Sequence, residues 1–182
     1  MENGSYRRFL NGDSKGLEEI VRDHKDGLVF YLNSIVGNLS LAEELMEETF
    51  FRIIIKKPGF RGNNFKTWLY TVGRNLAIDY LRRQARRGEI PLEQVEAQLR
   101  DMTDLEQQYL MEERKILIHR AMGKLHPDYR QILWLVYFEG LSNANAGAVM
   151  KKTDRQIKNL LYRAKNALKT ELEKEEFTYE EL

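Results

Sequence analysis

The sequence predicts an all-α protein made of two small helical domains. Apolar residues recur at helical spacing along most of the 182 residues, only three prolines are present, and no long segment alternates apolar with polar residues. Helix-capping patterns precede several of the apolar segments. The length is large for one helical domain and comfortable for two small ones.

The first predicted helix spans residues 14–36, and its N-cap is Asp13 or the serine that follows it. A short turn ends this helix. The second predicted helix spans 41–57, because Ser40 and Glu43 have the spacing of a capping box. These two helices supply the first part of an N-terminal core.

The second predicted helix starts with more acidic side chains than capping requires. Four acids lie in its first two turns: Glu43, Glu44, Glu47 and Glu48. Acids there complement the helix dipole, so a solvated helix start is one interpretation. A patch for a basic partner protein is the other. The apolar residues of this helix, Ile53 and Ile54 among them, are predicted to be buried.

A basic helix is predicted over residues 65–87. Its predicted buried face has apolar residues at helical spacing: Phe65, Trp68, Leu69, Val72, Leu76 and Tyr80. The predicted exposed face carries Tyr70, Arg74 and Asn75. Aromatic and cationic groups on one surface favour a partner with phosphates and stackable bases. A core helix with a solvated basic end explains the same pattern, and the helix alone does not decide between them.

The charges are arranged in blocks although the net charge is only +1. Residues 52–88 carry ten bases and one acid, and residues 143–172 carry seven bases and two acids. The segment 89–118, between them, carries eight acids and three bases. Two basic segments with an acidic spacer indicate two contacts with one polyanion.

The C-terminal half begins after a predicted linker at 88–104. A helix is predicted over 105–124, opened by a capping box of Thr103 and Glu106. A second, largely apolar helix is predicted over 127–138, with His126 as a cap rather than a catalytic group and proline in its first turn. This second helix is expected to be the centre of its domain.

A helix-turn-helix is predicted over 141–169. Ser142 caps a short helix at about 143–150, two lysines form a tight turn, and Thr153 with Gln156 opens the last helix as a capping box. The outer face of that helix carries Arg155, Lys158, Asn159 and Tyr162. Such side chains can read guanine and adenine edges in the major groove or hold phosphates. The alternative is an ordinary helical hairpin with a polar outer face.

Several kinds of chemistry are not indicated. Cysteine is absent, the three histidines are far apart, and no phosphate-binding or nucleophile motif occurs, so we expect no catalytic residue, no metal site and no cofactor. The sequence has neither an apolar leader nor an apolar segment of membrane-spanning length. A soluble, cytoplasmic protein without membrane insertion is expected.

Two segments of the sequence resemble two regions of a known family, and they occur in the same order as in that family. Residues 41–83 resemble region 2 of bacterial sigma-70-family sigma factors of the extracytoplasmic-function (ECF) group, with F-x-x-W-L followed by N-x-x-x-D-x-x-R. Residues 119–169 resemble region 4, with an L-x-x-x-x-R pattern and then E-G-L-S. The resemblance implies a subunit that binds core RNA polymerase, recognises the −35 and −10 promoter elements and helps to open the promoter.

The resemblance assigns roles to residues of this chain. The acidic helix would bind the β′ clamp helices through Glu43, Glu44, Glu47, Glu48 and Phe51. Single-stranded −10 DNA would be held by the following group: Phe60, Arg61, Asn63, Asn64, Tyr70, Arg74, Asn75, Arg82 and Arg83. Within this group, Phe60 and Asn75 match positions of a pocket for a flipped base. Double-stranded −35 DNA would be read by a second group: Lys152, Thr153, Arg155, Gln156, Lys158, Asn159, Tyr162 and Arg163.

The same resemblance implies a domain plan and further partners. Region 2 would occupy 1–87, the linker 88–104 and region 4 105–172. Apart from the resemblance, the acidic tail at 173–182 is expected to fray, and the alternative is that it folds back on a basic DNA-binding face or contacts a regulator. Region 4 would meet the β flap of the polymerase, and an anti-sigma factor is an expected partner. Phe60 has a second interpretation as a residue tucked into the core.

Three positions depart from the family pattern. The usual Glu-Ile-Ala of the first helix of the helix-turn-helix is Asn145-Ala146-Gly147, the turn glycine is Lys151, and a usual glutamine is Glu47. Smaller side chains bury less apolar surface, so a loosely packed first helix or an altered partner surface is expected.

Two other classes of protein fit parts of the sequence. A stand-alone helix-turn-helix regulator would use residues 1–87 for dimerisation or ligand binding, and it would need an exposed apolar dimer face. A DNA-processing enzyme such as a recombinase would need a nucleophile with supporting arginines, which the sequence does not indicate.

Overall fold

All regular structure in the described part of the chain is helical. A computed structural model of the protein describes residues 2–59, 65–87 and 113–180. Its elements are α1 (Glu2–Leu10), α2 (Ser14–Val36), α3 (Leu39–Lys56), α4 (Phe65–Arg86), α5 (Glu113–Gly123), α6 (Pro127–Leu133), a π-helical turn (Trp134–Phe138), α7 (Asn143–Met150) and α8 (Asp154–Glu180). The all-α prediction is confirmed.

Helix α1 was not predicted from the sequence. Its Tyr6 is 3% exposed and lies on Phe65 with ring centroids 5.0 Å apart. The Tyr6 hydroxyl donates a 2.6 Å hydrogen bond to the carbonyl of Pro58, and burial raises its pKa to about 12. Gly16 lets α1 approach α2 closely, since a Cβ there would lie 2.3 Å from the carbonyl oxygen of Ser5. Helix α1 therefore closes one end of the N-terminal core.

The junction between α2 and α3 corrects one capping prediction. Asp13 caps α2 as predicted, and its side chain accepts a hydrogen bond from the N–H of Lys15. Gly37 ends α2 in the left-handed conformation, with φ of 63°. Asn38 is then extended and its side chain accepts from the N–H of Leu41, so α3 begins at Leu39. Ser40 lies inside the helix, and the predicted capping box with Glu43 is wrong.

Helix α4 has the predicted extent, but which of its residues are buried differs from the prediction. Phe65, Leu69 and Leu76 are buried as predicted, whereas Trp68 is only partly buried. Tyr70, predicted to be exposed, is 0% exposed. The reason is that α4 packs on both sides, against α2 and α3 and also against the C-terminal helix α7.

The C-terminal helices follow the predicted order with one change. The predicted helix over 127–138 is an α-helix only to Leu133 and continues as the π-helical turn, in which the N–H of Glu139 donates to the carbonyl of Trp134 at 3.0 Å. His126 caps α6 as predicted, accepting from the N–H of Asp128. Helix α8 continues to Glu180, into the predicted acidic tail.

One buried cluster joins the N-terminal helices α1–α4 to the C-terminal helices α5–α8. It contains Tyr31 and Tyr70 from the first group and Ile132 and Leu135 from the second. Helix α2 contacts α6 and the π-helical turn, and α4 contacts α7. The predicted linker, the loop at 60–64 and the capping box of Thr103 lie outside the described residues.

Candidate nucleic-acid interface

The helix-turn-helix forms as predicted. Ser142 caps α7 by accepting from the N–H of Asn145, and Lys151 ends it in the left-handed conformation with φ of 55°. The Thr153–Gln156 capping box is complete. The N–H of Thr153 donates to Gln156 Oε1 at 2.8 Å, and the N–H of Gln156 donates to Thr153 Oγ1 at 3.3 Å. The direction of α8 is thereby fixed at its first turn.

Gly147 explains part of the unusual sequence of α7. A Cβ at this position would lie 2.8 Å from the carbonyl oxygen of Lys152 and 3.4 Å from the side chain of Ile157. The Gly147 carbonyl in turn accepts a 2.9 Å hydrogen bond from the N–H of Lys152. Gly147 therefore allows the turn to pack closely against α7. Lys151 makes this turn at the position where the family usually has glycine.

Helix α8 presents an exposed polar face, which we call the recognition face. Its members are Arg155, Lys158, Asn159, Tyr162 and Arg163, and all five are exposed. Tyr162 is 69% exposed although it is aromatic. Ile157 and Ala164 are fully buried on the opposite side. Lys158 pairs with Asp154 at 2.7 Å on the surface, a contact weak enough to yield to a phosphate.

The remaining predicted −35 residues lie at the start of α8. Thr153 and Gln156 are exposed but engaged in the capping box. Lys152 pairs with Asp128 of α6 at 3.2 Å, and its side chain is 29% exposed. These three residues therefore lie beside the recognition face, and their contacts help to fix its position.

The polar face of α4 that was predicted to hold DNA is partly covered in this structure. We define the α4 polar face as Tyr70, Arg74 and Asn75. The Arg74 Nε donates to Gln131 Oε1 of α6 at 3.2 Å, and Asn75 is partly buried. Tyr70 is buried beside Glu139; desolvation and, next to it, that carboxylate raise the tyrosine pKa well above its ordinary value.

The other predicted −10 residues fall into two groups. Arg82 and Arg83 are exposed near the end of α4, and Arg82 lies 3.8 Å from Asp79. Phe60, Arg61, Asn63 and Asn64 lie outside the described residues. Of the predicted −10 site, the structure therefore describes only the part that lies on α4.

Helix α3 carries a surface in which acidic and apolar groups adjoin. We call it the docking patch and define it as Glu43, Glu44, Glu47, Phe51, Ile54 and Ile55. The three acids are exposed, and the apolar members are 54%, 42% and 64% exposed. Glu48 is partly buried and pairs with Arg52 at 2.9 Å. The prediction that Ile54 is buried is wrong, and Ile55 was missed.

An apolar groove between α6 and α8 was also missed. Seven residues line it: Leu133, Tyr137, Lys165, Leu168, Lys169, Leu172 and Glu173. Tyr137 is 53% exposed, and Lys165 Nζ lies 5.3 Å above the centre of its ring. The sequence predicted a buried apolar helix here, and nothing in its periodicity shows that the π-helical turn would rotate Tyr137 to the surface.

Two kinds of site are not found in the described helices. Within residues 2–59, 65–87 and 113–180, histidine, aspartate and glutamate side chains do not gather into a group that could hold a metal ion. None of the helices described combines the length and the apolar character needed to cross a membrane.

Comparison with known proteins agrees with the geometry. The family profile Sigma-70 region 2 matches residues 20–87, and the profile Sigma-70, region 4 matches residues 115–168. The chain is 28% identical over 153 residues to the ECF RNA polymerase sigma factor SigM of Bacillus subtilis, covering 84% of this chain and 93% of SigM. It is 26% identical over 170 residues to the RNA polymerase sigma-H factor of Pseudomonas aeruginosa, covering 88% of each.

A solved structure shares the fold. It is the sigma factor RpoE in complex with the anti-sigma factor NepR, from Bartonella quintana. The TM-score is 0.70 at 23% sequence identity, and the match covers 87% of this chain and 98% of that one.

Proposed function

This chain belongs to the ECF group of the sigma-70 family of bacterial RNA polymerase sigma factors, and we propose that it divides promoter recognition between two surfaces. The recognition face of α8 reads the −35 duplex. The α4 polar face, with the loop before it, holds the separated −10 strand. The chain positions the polymerase, which supplies the catalysis. The single observation that carries the proposal is the exposed recognition face, built on a fully capped helix-turn-helix.

The recognition face supports −35 reading through its side-chain chemistry. Arg155 can make a bidentate contact with guanine, and Asn159 can do so with adenine. Lys158 and Arg163 supply phosphate contacts, which set register on the duplex and make the affinity depend on salt. Because the inner side of α8 is anchored by Ile157 and Ala164, these donors are presented on a rigid support.

The −10 proposal rests on α4 and its N-terminal loop. Asn75 would contact an extruded base together with Phe60 and the loop residues Arg61, Asn63 and Asn64. Extruding a base costs a few kcal/mol, about what aromatic stacking and edge hydrogen bonds recover. The exposed Arg82 and Arg83 would contact the strand backbone.

The docking patch supports binding to the polymerase. Exposed acids followed along the same helix by exposed apolar residues suit a basic, partly apolar partner such as the β′ clamp helices. The apolar groove between α6 and α8 offers a second contact, which we assign to the β flap. An anti-sigma factor would compete for these same exposed apolar surfaces.

We propose the domain limits that this division requires. Region 2 spans 1–87, the linker 88–104, region 4 105–172 and an acidic extension 173–182. The extension continues α8 as a helix to Glu180. A cytoplasmic location follows from the requirement for polymerase and promoter.

Run-off transcription tests the proposal most directly. The purified chain is added to core polymerase on a template with −35 and −10 elements, and both the transcript and permanganate-reactive thymines are measured. Transcript and strand opening are expected only with the chain present. If the chain neither binds core polymerase nor opens DNA, the sigma-factor assignment is wrong. A dimer that binds duplex DNA alone would instead indicate a stand-alone regulator using the docking patch as a dimer face.

A reciprocal pair of substitutions tests the division of labour. Asn75→Ala is expected to weaken −10 opening while leaving −35 duplex binding unchanged, whereas Asn159→Ala is expected to do the reverse. One edge contact is worth about 1–3 kcal/mol, or roughly fivefold to 150-fold. Equal losses in both assays for either variant would contradict the assignment.

A further inference from the structure

Helix α1 contacts the chain on both sides of the segment that connects α3 to α4. On the entry side, the Tyr6 hydroxyl donates its 2.6 Å hydrogen bond to the carbonyl of Pro58. On the exit side, the Tyr6 ring lies 5.0 Å from the ring of Phe65, the first residue of α4. The hydroxyl stays protonated at neutral pH, since burial raises its pKa to about 12. One side chain of α1 therefore holds both ends of the connecting segment.

A second side chain of α1 contacts the entry side. Lys57 ends α3 in the left-handed conformation, with φ of 39°. This conformation is strained for a residue other than glycine and persists only where the surroundings hold it. Lys57 Nζ lies 5.5 Å from the centre of the Phe9 ring, and a cation over an aromatic face is attracted to it. Phe9 therefore stabilises the strained residue from which the connecting segment starts.

The exit side is held by aromatic packing. Phe65 is 1% exposed, and it packs against the Tyr6 ring of α1 and, at 5.7 Å, against the His24 ring of α2. All three rings are buried. Side chains in a close-packed core cannot shift without opening voids beside them. The first residue of α4 is therefore fixed relative to both α1 and α2.

Helix α1 is itself fixed to α2. Ser5 Oγ donates to Glu19 Oε2 at 2.7 Å, and Arg8 forms an ion pair with the same carboxylate. Gly16 brings the two backbones together, since a Cβ there would lie 2.3 Å from the Ser5 carbonyl oxygen and 2.7 Å from the backbone nitrogen of Phe9. The contacts of α1 with the connecting segment are therefore made from a rigid support.

Helix α1 lies before residue 20, where the match to region 2 begins. We propose that Tyr6 is a positioning residue for −10 recognition: it fixes where the segment between α3 and α4 begins and ends, and thereby sets which bases the strand-binding surface accepts. Tyr6 is 3% exposed, so it acts through the segment and not by touching a base. The inference rests on the proposed function for the identity of the ligand.

Base preference is the property that such positioning affects most. Hydrogen bonds to base edges weaken steeply when the donor direction changes, so they require precisely placed groups. Phosphate contacts tolerate displacement better and supply much of the total affinity. Loosening the ends of the segment should therefore reduce discrimination between bases more than it reduces binding.

Two substitutions in α1 separate this role from the general stability of the helix. Tyr6→Phe removes the hydrogen bond to Pro58 and keeps a ring on Phe65. Ser5→Ala is the matched control. It also removes a hydrogen bond donated by an α1 hydroxyl, but the acceptor, Glu19, lies on α2 and not beside the segment.

Spin labels measure the effect on the segment without DNA. The chain has no cysteine, so labels go to Gly59→Cys, where a Cβ would meet nothing within 4 Å, and to Arg22→Cys on α2, whose side chain is 71% exposed. The full chain is expected to give one narrow distance distribution, unchanged by Ser5→Ala and broadened by Tyr6→Phe. The same distribution for Tyr6→Phe as for the parent would overturn the positioning role.

Strand binding tests the consequence for recognition. The chain assembled with core polymerase is titrated with single-stranded −10 oligonucleotides, namely the best-bound sequence and variants with one base replaced. Tyr6→Phe is expected to reduce the discrimination between them about fivefold, the effect of one hydrogen bond. Ser5→Ala should leave it unchanged, and neither variant should alter binding to core polymerase or to a −35 duplex.

The ratio of affinities distinguishes positioning from a loss of folded protein. Partial unfolding lowers all affinities alike and leaves the ratio unchanged. An unchanged ratio for Tyr6→Phe, or an equal loss on the −35 duplex, would overturn the inference. A parent complex without any base preference on the −10 strand would instead contradict the proposed function, and the spin-label comparison would then decide alone whether Tyr6 fixes the segment.

Discussion

The recognition face of α8 and the polar face of α4 were predicted from the same kind of pattern, yet the structure treats them oppositely. Both combine cations, an amide and an aromatic residue on one side of a helix. The α8 face is exposed, with Tyr162 69% accessible, whereas Tyr70 of α4 is 0% accessible and Arg74 is bonded to Gln131.

The difference agrees with the two ligands that we propose. A duplex is available at all times, so a rigid exposed face could read it without preparation. A separated strand exists only after the promoter opens, so a face that bound it would have no ligand in the free protein. In this structure α7 packs against α4 instead, and Tyr70 and Trp134 are buried rather than left in water.

The largest expected effect separates polymerase binding from both DNA faces. Ile55→Lys places a cation at the most exposed apolar residue of the docking patch, where Ile55 is 64% exposed and the proposed partner is itself basic. We expect binding to core polymerase and −10 opening to fall by about a hundredfold or more, since burying an unpaired charge costs several kcal/mol. Binding of the free protein to the −35 duplex should not change. Leu10→Lys, at a 38% exposed apolar residue of α1, is the control, and an equal loss there would refute the patch.

The second effect tests whether the α8 face reads bases. Arg155→Ala is expected to weaken −35 duplex binding by about 1–3 kcal/mol and to relax the preference at one base pair. Arg163→Ala is expected to weaken binding to all duplexes alike and to reduce the salt dependence. Competition titrations with a set of single-base-pair variants at two salt concentrations distinguish the two outcomes. A uniform loss for Arg155→Ala would reduce its role to phosphate contact.

The third effect concerns the support of the α8 face. Gly147→Ala is expected to destabilise the protein by about 1–3 kcal/mol, because the added methyl meets the Lys152 carbonyl at 2.8 Å and backbone cannot move aside easily. Lys151→Gly is expected to stabilise it by about 1 kcal/mol, because a left-handed residue is strained unless it is glycine. Chemical denaturation measures both. A neutral Gly147→Ala would mean that the turn is looser than the structure shows.

The smallest effect is a pH dependence of stability. Desolvation lowers the pKa of His119, which lies between Phe30 and Trp134, with the Arg130 cation lining the same cavity. Folding therefore disfavours the protonated imidazole. The contribution of His119 to stability should be fully present above the ordinary histidine pKa of about 6.5 and should be lost as the pH falls below it toward the lowered value.

Chemical denaturation at pH 7.5 and 5.5 measures this change in the free energy of unfolding. His119→Phe, which keeps an aromatic ring among the same neighbours, is expected to reduce the pH dependence. A parent chain that is equally stable at both pH values would show that His119 titrates alike in the folded and unfolded states.

Local sequence signals predicted most of the helices and the recognition face. Caps at Asp13, His126, Ser142 and Thr153 act through side chains within three residues, so spacing alone reveals them. The Ser40 box failed because Asn38, freed by the left-handed Gly37, competes for the same helix start. At α8, the apolar spacing and the Thr153 cap predict the same start of the helix.

What the sequence could not show depends on contacts distant along the chain. Tyr70 has the periodicity of an outer face, but it is buried against Tyr31 of α2 and beside Glu139. Ile54 and Ile55 lie in a run of apolar residues that surrounds the helix, so spacing does not tell which of them faces the core. Helix α1 is anchored by the Tyr6 bond to Pro58, a partner 52 residues away.

The π-helical turn determines the direction in which the next residue, Glu139, points. An uninterrupted α-helix would bond the N–H of Glu139 to Leu135, whereas here it bonds to Trp134. Each residue of an α-helix advances the side-chain direction by about 100°, so absorbing one extra residue turns Glu139 by that angle relative to a regular helix. The direction of the Glu139 carboxylate, and with it the 2.9 Å ion pair that this carboxylate makes with Lys66 of α4, thus depends on one extra residue in the helical turn.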